Sequence, residues 1–251
     1  MNPEDWISLA TAAVALGSVW ISTRSAKATA RLQGELAERR EKQSKEQAVE
    51  EVMARYREPL LRAAFDLQSR VYNIVKQDFL GKYYLNGRPA EREYAITNSL
   101  FVFAEYFAWV EVLRRGVQFL DLGDVERNRC LTERLEAVTL TLGDDQLIAT
   151  PAFRLLKGQQ RALGEIMVEA MPSGNRDDCG QCLGYATFIE RLGNDPPFGD
   201  WFKQLRADIE ELATDQAGYE RLIRVQHDLI DLIDYLDDPP VRFGKIQRTK
   251  I

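Results

Sequence analysis

Histidine and cysteine are scarce: one His and three Cys in 251 residues. A single histidine removes most Ser-His-Asp hydrolase triads, histidine-rich metal sites and paired Glu-x-x-His di-iron sites. An odd, low cysteine count is no disulfide framework for a secreted domain, so reduced thiols in a cytosolic setting are expected. Sixteen Gly and nine Pro are too few for a repetitive fibre or a loop-dominated all-β chain. The phosphate-binding patterns GxxxxGK[ST] and GxGxxG are absent, as are GxSxG and HExxH. No catalytic, cofactor-binding or metal residue is assigned on these grounds, no cofactor is implied, and a non-enzymatic protein is expected.

What is present is 45% hydrophobic and 29% charged residues, a globular composition with a formal net charge of −6. The charge is unevenly placed. Residues 59–238 carry 30 acidic and 20 basic side chains, whereas 24–58 are weakly basic and 239–251 hold four bases and no acid. An acidic body repels phosphate backbones, so no nucleic-acid partner is expected. The two basic stretches are the expected contacts for anionic lipid.

Trp6 to Thr23 is a run of 18 residues without a charge, WISLATAAVALGSVWIST. As a helix it covers about 27 Å, close to the hydrocarbon thickness of a bilayer. Its apolar surface comes from Trp6, Ile7, Leu9, Val14, Leu16, Val19, Trp20 and Ile21, with the two indoles near the ends where they favour the headgroup boundary. Glu4 and Asp5 precede it, and Arg24, Lys27 and Arg31 follow. That asymmetry predicts a single-pass span in the cell membrane, N-terminus outside and body cytoplasmic. A buried soluble helix and a cleaved signal peptide compete with this reading, but the acidic leading end is wrong for a signal. Ala10, Ala13 and Gly17 share one face, a spacing that lets two such helices approach closely in lipid.

The expected fold class is all-α, in four parts: a transmembrane anchor (1–23), a polar helical stalk (24–58), a globular multi-helix domain (59–238) and a basic tail (239–251). Glu38 to Gln47 contains no apolar residue, which excludes a sustained coiled-coil seam and predicts a solvated stalk holding the body away from the membrane. In the body, helical spacing is read at Leu60–Val75, Glu91–Leu120, a following helix through Glu136, Pro151–Met171, Cys182–Leu192, Phe198–Ala213 and Gly218–Asp237. Val138 to Leu142 alternates apolar and polar, so a small hairpin is expected near 138–150. On the last helix Leu222, Gln226, Leu229, Ile233 and Leu236 form one face, with Asp228, Asp231 and Asp234 turned to water.

Cys179-Gly-Gln-Cys182 is the one short motif with chemistry attached, as a helix-start thiol or as half of a zinc set with Cys130 and His227. Two ordinary cysteines at a loop–helix junction are the preferred explanation. His227 reads as a histidine packed at a helix interface. Glu105 and Glu111 lie in an aromatic helix, where an ion pair from Glu111 to Arg114 and Arg115 suffices. Glu105 argues that this helix belongs to a core rather than to a second span.

Together these point to a membrane-anchored helical interaction or regulatory protein, with membrane lipid, a protein partner and further copies of itself as its expected contacts. Two other readings stay open: a membrane-perturbing effector whose span assembles when the body senses a signal, and a thiol or zinc sensor using Cys179 and Cys182.

Overall fold

A computed structural model describes residues 33–44, 47, 56–117, 125–145, 151–169, 180–239, 242–243 and 248–251. The chain divides into two units, Met1–Glu50 and Glu51–Ile251. The anchor residues Trp6 to Ile21, the self-contact face Ala10, Ala13 and Gly17, and the topology residues Arg24, Lys27 and Arg31 lie outside the described residues, as does Cys179. In the first unit residues 33–44 are helical and each is exposed, as a segment without an apolar stripe requires.

The fold is all-α. In the second unit α1 spans 56–77, and a π-helical turn, Gly81–Leu85, leads into α2 (Pro89–Val117). Then come α3 (Val125–Gly143), α4 (Lys157–Ile166), strands β1 (Val168–Glu169) and β2 (Gln181–Cys182), and α5 (Tyr185–Asn194). The short α6 (Pro196–Asp200), α7 (Lys203–Glu211) and α8 (Tyr219–Leu236) complete it.

The central element is α2. Proline at its first position costs no hydrogen bond, and Glu91 accepts the Arg88 N–H at 2.8 Å, closing the first turn. Helices α4, α5 and α7 pack against it, and α1 crosses to it through the Arg70–Asn98 hydrogen bond. Pro89–Gly116 is long and apolar enough to cross a membrane, but 72% of its apolar 18-residue stretch is buried inside the fold. Phe103 and Tyr106 are core residues. Phe101 meets Tyr185 and Phe188, and Phe188 in turn packs on Phe198 and Phe202. The closest approach is between α2 and α4: a Cβ on Gly164 would lie 2.5 Å from the Phe107 carbonyl oxygen, so only glycine admits this spacing.

Helices α3 and α8 form the second packed pair. Leu222, Gln226, Leu229, Ile233 and Leu236 are all buried, as their spacing predicts. Asp228 departs from expectation. It is half-buried and accepts a hydrogen bond from Thr141 Oγ1 at 2.6 Å, because α3 lies over that side of α8.

The hairpin expected near 138–150 is not formed at 138–143, which belong to α3. Val138 and Leu142 are four apart and both buried, while Leu140 is 43% exposed; a period of two would have turned all three to one side. The Thr139 hydroxyl donates to the Leu135 carbonyl, which reconciles a β-branched residue with the helix. The antiparallel pair that does occur joins Val168 to Cys182 and Glu169 to Gln181. The single helix expected from Phe198 to Ala213 is two, α6 and α7. The first begins where Asp195 accepts the Phe198 N–H at 3.2 Å just ahead of Pro196-Pro197.

The basic tail is not free in its described residues. Arg242 pairs with Glu58 at 3.2 Å and Lys250 with Asp231 at 2.5 Å. Arg248, 7% exposed, pairs with buried Asp237 and with Asp234. Phe243 stacks on Phe65 with centroids 3.8 Å apart, and Gln226 donates to the Thr249 carbonyl at 2.9 Å. The tail therefore lies along α1 and α8, and these three bases are already neutralised by the body's own acids.

Candidate functional site

The thiol motif does not assemble a reactive centre around Cys182. That residue sits in β2 rather than in the first turn of a helix; α5 starts three residues later with Gly184 as its cap. The helix dipole expected to activate a thiol is absent at that position. Burial, with the Glu105 carboxylate adding to it, pushes the Cys182 thiol up to about 12, which opposes thiolate formation. Among the described residues no group of three or more His, Cys, Asp or Glu side chains is placed to hold a metal ion, so Cys130, Cys182 and His227 are not brought together. His227 sits at a packed interface, its Nε2 2.6 Å from the Ile251 main-chain oxygen.

Glu111 is buried and receives Arg114 and Arg115, each at 2.7 Å, the intrahelical pairing expected from its spacing. Among the described residues Glu105 has no such partner. Burial in the α2 interface and the nearby Asp66 carboxylate raise it to about 7, and burial raises Asp66 as well. A carboxyl whose folded pKa lies above its unfolded value binds its proton more tightly when folded. Its contribution to stability is therefore full below about pH 4.5 and is lost as pH rises toward 7. Glu105→Gln is expected to raise the urea midpoint relative to the parent at pH 8, and the gap should close by pH 5. An equal gap at both values would show that charge on Glu105 is not the cause.

Sequence reasoning missed a cleft of about 460 Å³ where α1 ends and α2 begins. Asn73 and Gln77 come from the last turns of α1, Phe79, Lys82 and Tyr83 from the turn that follows, and Ala90, Glu91 and Tyr94 from the start of α2. The backbone there is unusual. Asp78 adopts φ 55°, a left-handed conformation that Asp tolerates, and thereby ends α1. The chain then makes a π turn in which the Asn86 N–H and its side-chain amide both donate to the Gly81 carbonyl, at 3.1 and 2.8 Å. Gly87 is required next, since a Cβ would collide with the Tyr83 carbonyl oxygen. This path places Phe79 and Tyr83 side by side, ring centroids 5.0 Å apart.

Behind them lies Arg70, its guanidinium 4.0 Å from the Phe79 ring centroid and 5.9 Å from that of Tyr94. Burial pulls its pKa down, and the Tyr94 hydroxyl works against that. One guanidinium nitrogen is held by Asn98, while Nη1 is buried without a partner. The signal in the sequence was the pairing of aromatic residues with Gly81 and Asn86-Gly87, which read as loop punctuation alone.

No family model matches this chain, and neither a curated protein nor a solved structure matches it.

Proposed function

We propose that this chain is a membrane-anchored regulatory protein whose helical body engages a partner on the cytoplasmic side and performs no catalysis of its own. The observation that carries this reading is the charge-free run from Trp6 to Thr23, with acids before it and Arg24, Lys27 and Arg31 after it. Two features of the described residues support it. Residues 33–44 form a polar helix without a buried face, suited to a tether. The body carries a continuous hydrophobic core from Leu60 in α1 to Leu236 in α8. The raised Cys182 thiol weighs against the thiol reading.

Membrane fractionation tests the proposal. The full chain is expected to resist carbonate extraction, and a chain starting at Arg24 is expected in the soluble fraction with an unchanged helical spectrum. Protease added from the cytoplasmic side should degrade the body while leaving the N-terminus protected. If the full chain is soluble, or the truncated chain stays with the membrane, the anchor reading fails.

A further inference from the structure

A membrane tether makes no use of the aromatic cleft beside the π turn, yet its chemistry is selective. Its volume of about 460 Å³ falls in the range of small-molecule sites. Of its two charged residues, only Glu91 has a charged partner. Lys82 Nζ donates to the Gln77 carbonyl at 2.7 Å, and Glu91 is held by the Arg88 guanidinium at 2.7 Å and the Arg88 N–H at 2.8 Å. The Glu91 charge is thereby met by Arg88, whereas a carbonyl leaves the Lys82 charge in place, so a ligand phosphate would meet one exposed, solvent-screened cation.

What remains open to a ligand is a set of rings and amides. Tyr83 and Tyr94 are 44% and 48% exposed, high for tyrosines in a concave site. The side-chain amides of Asn73 and Gln77, one turn apart on α1, line the same cleft. A hydrocarbon ring would cover these amides without matching their donors and acceptors, which costs affinity. A planar heterocycle with hydrogen-bonding edges satisfies both sets. Arg70, packed on the Phe79 ring at 4.0 Å, stiffens that wall of the cleft.

We propose that this cleft binds a planar, uncharged heteroaromatic molecule of the nucleobase type, stacked on the Tyr83 and Tyr94 rings and held at its edge by Asn73 and Gln77. The assignment does not depend on the anchor.

The test is calorimetric titration of the full chain in mild detergent with adenosine, guanosine, cytidine and uridine, each also as its 5′-monophosphate, and with phenol as a ring without a second edge. At least one nucleoside should bind with Kd below about 1 mM. Its monophosphate should bind within about tenfold of it, because the one uncompensated cation of the cleft, Lys82, is exposed and screened. Tyr83→Ala and Tyr94→Ala should each weaken binding about tenfold or more. Asn73→Ala should weaken the preferred nucleoside and leave phenol unchanged. Thermal melts of the variants show that the fold is kept, and Tyr83→Ala, which leaves the Arg70–Tyr94 contact in place, serves if Tyr94→Ala unfolds the body. The proposal is overturned if no nucleoside binds at about 1 mM, if binding survives both tyrosine substitutions, or if the monophosphate binds a hundredfold tighter than the nucleoside.

Discussion

Asp237→Ala is expected to destabilise the body by about 3–5 kcal/mol, as breaking a buried ion pair from one side does. The Asp237 carboxylate is 4% exposed at the end of α8. It accepts the N–H groups of Arg242 and Phe243, at 3.1 and 3.2 Å, and pairs with the equally buried Arg248. Removing it takes from the Arg248 guanidinium its one buried acid and strands two backbone donors at once, and it releases the segment whose Phe243 covers Phe65. The second acid on Arg248, Asp234, gives the contrast. Its side chain is 56% exposed, so solvent screens the pair, and Asp234→Ala should cost less than about 1 kcal/mol. Urea unfolding of the full chain in detergent checks both values. The double change Asp237→Ala, Arg248→Ala should cost less than the sum of the singles, because it leaves no unpaired charge behind. A loss below about 1 kcal/mol for Asp237→Ala would mean that the tail adds little to the fold.

The same segment shows where sequence reading stops. Four bases without an acid look like a lipid-binding tail when counted along the chain. The three described ones, Arg242, Arg248 and Lys250, have as partners Glu58 on α1 and Asp231, Asp234 and Asp237 on or just after α8. Those acids approach only once α1 and α8 pack, and charge counting carries no such information. By contrast α8 itself was legible, since a 3.6-residue apolar period with aspartates between can be satisfied in one way. Even there the outward side was misjudged at Asp228, because which helix covers a polar position is a tertiary fact. At 138–142 two periods fit the same five residues, and tertiary packing selected the helical one by burying Val138 and Leu142 and leaving Leu140 out. The cleft was hidden for another reason. All its residues lie within 73–94, but a π turn after a left-handed aspartate has no hydrophobic period to find.

Arg221 carries the second large expectation, for a residue that sequence reading passes over as one more base on an amphipathic helix. It is fully buried. Its Nη1 donates to the carbonyls of Thr141 at 2.7 Å and Asp144 at 3.0 Å, and its Nε to that of Ala152 at 3.3 Å. The last carbonyls of a helix have no intrahelical donor, and a cation there also meets the negative end of the helix dipole. Arg221 thus closes α3 and ties it to the strand of chain entering α4, where Gln160 adds hydrogen bonds to the carbonyls of Thr139 and Leu155. Burial lowers its pKa and Arg154 adds to that, with Asp144, Glu220 and Asp145 opposing, but a guanidinium remains charged across the physiological range. Arg221→Met keeps most of the volume and removes every donor, so the cost should follow the orphaned carbonyls, about 3 kcal/mol or more. Arg221→Lys retains a cation but cannot reach three acceptors in one plane, and should fall between the two. Hydrogen exchange should locate the damage, with amides of the last turn of α3 and of residues 152–156 opening faster while those of α5 hold. If Met matches the parent in stability, packing alone seats this end of α3, and the three carbonyl contacts contribute little.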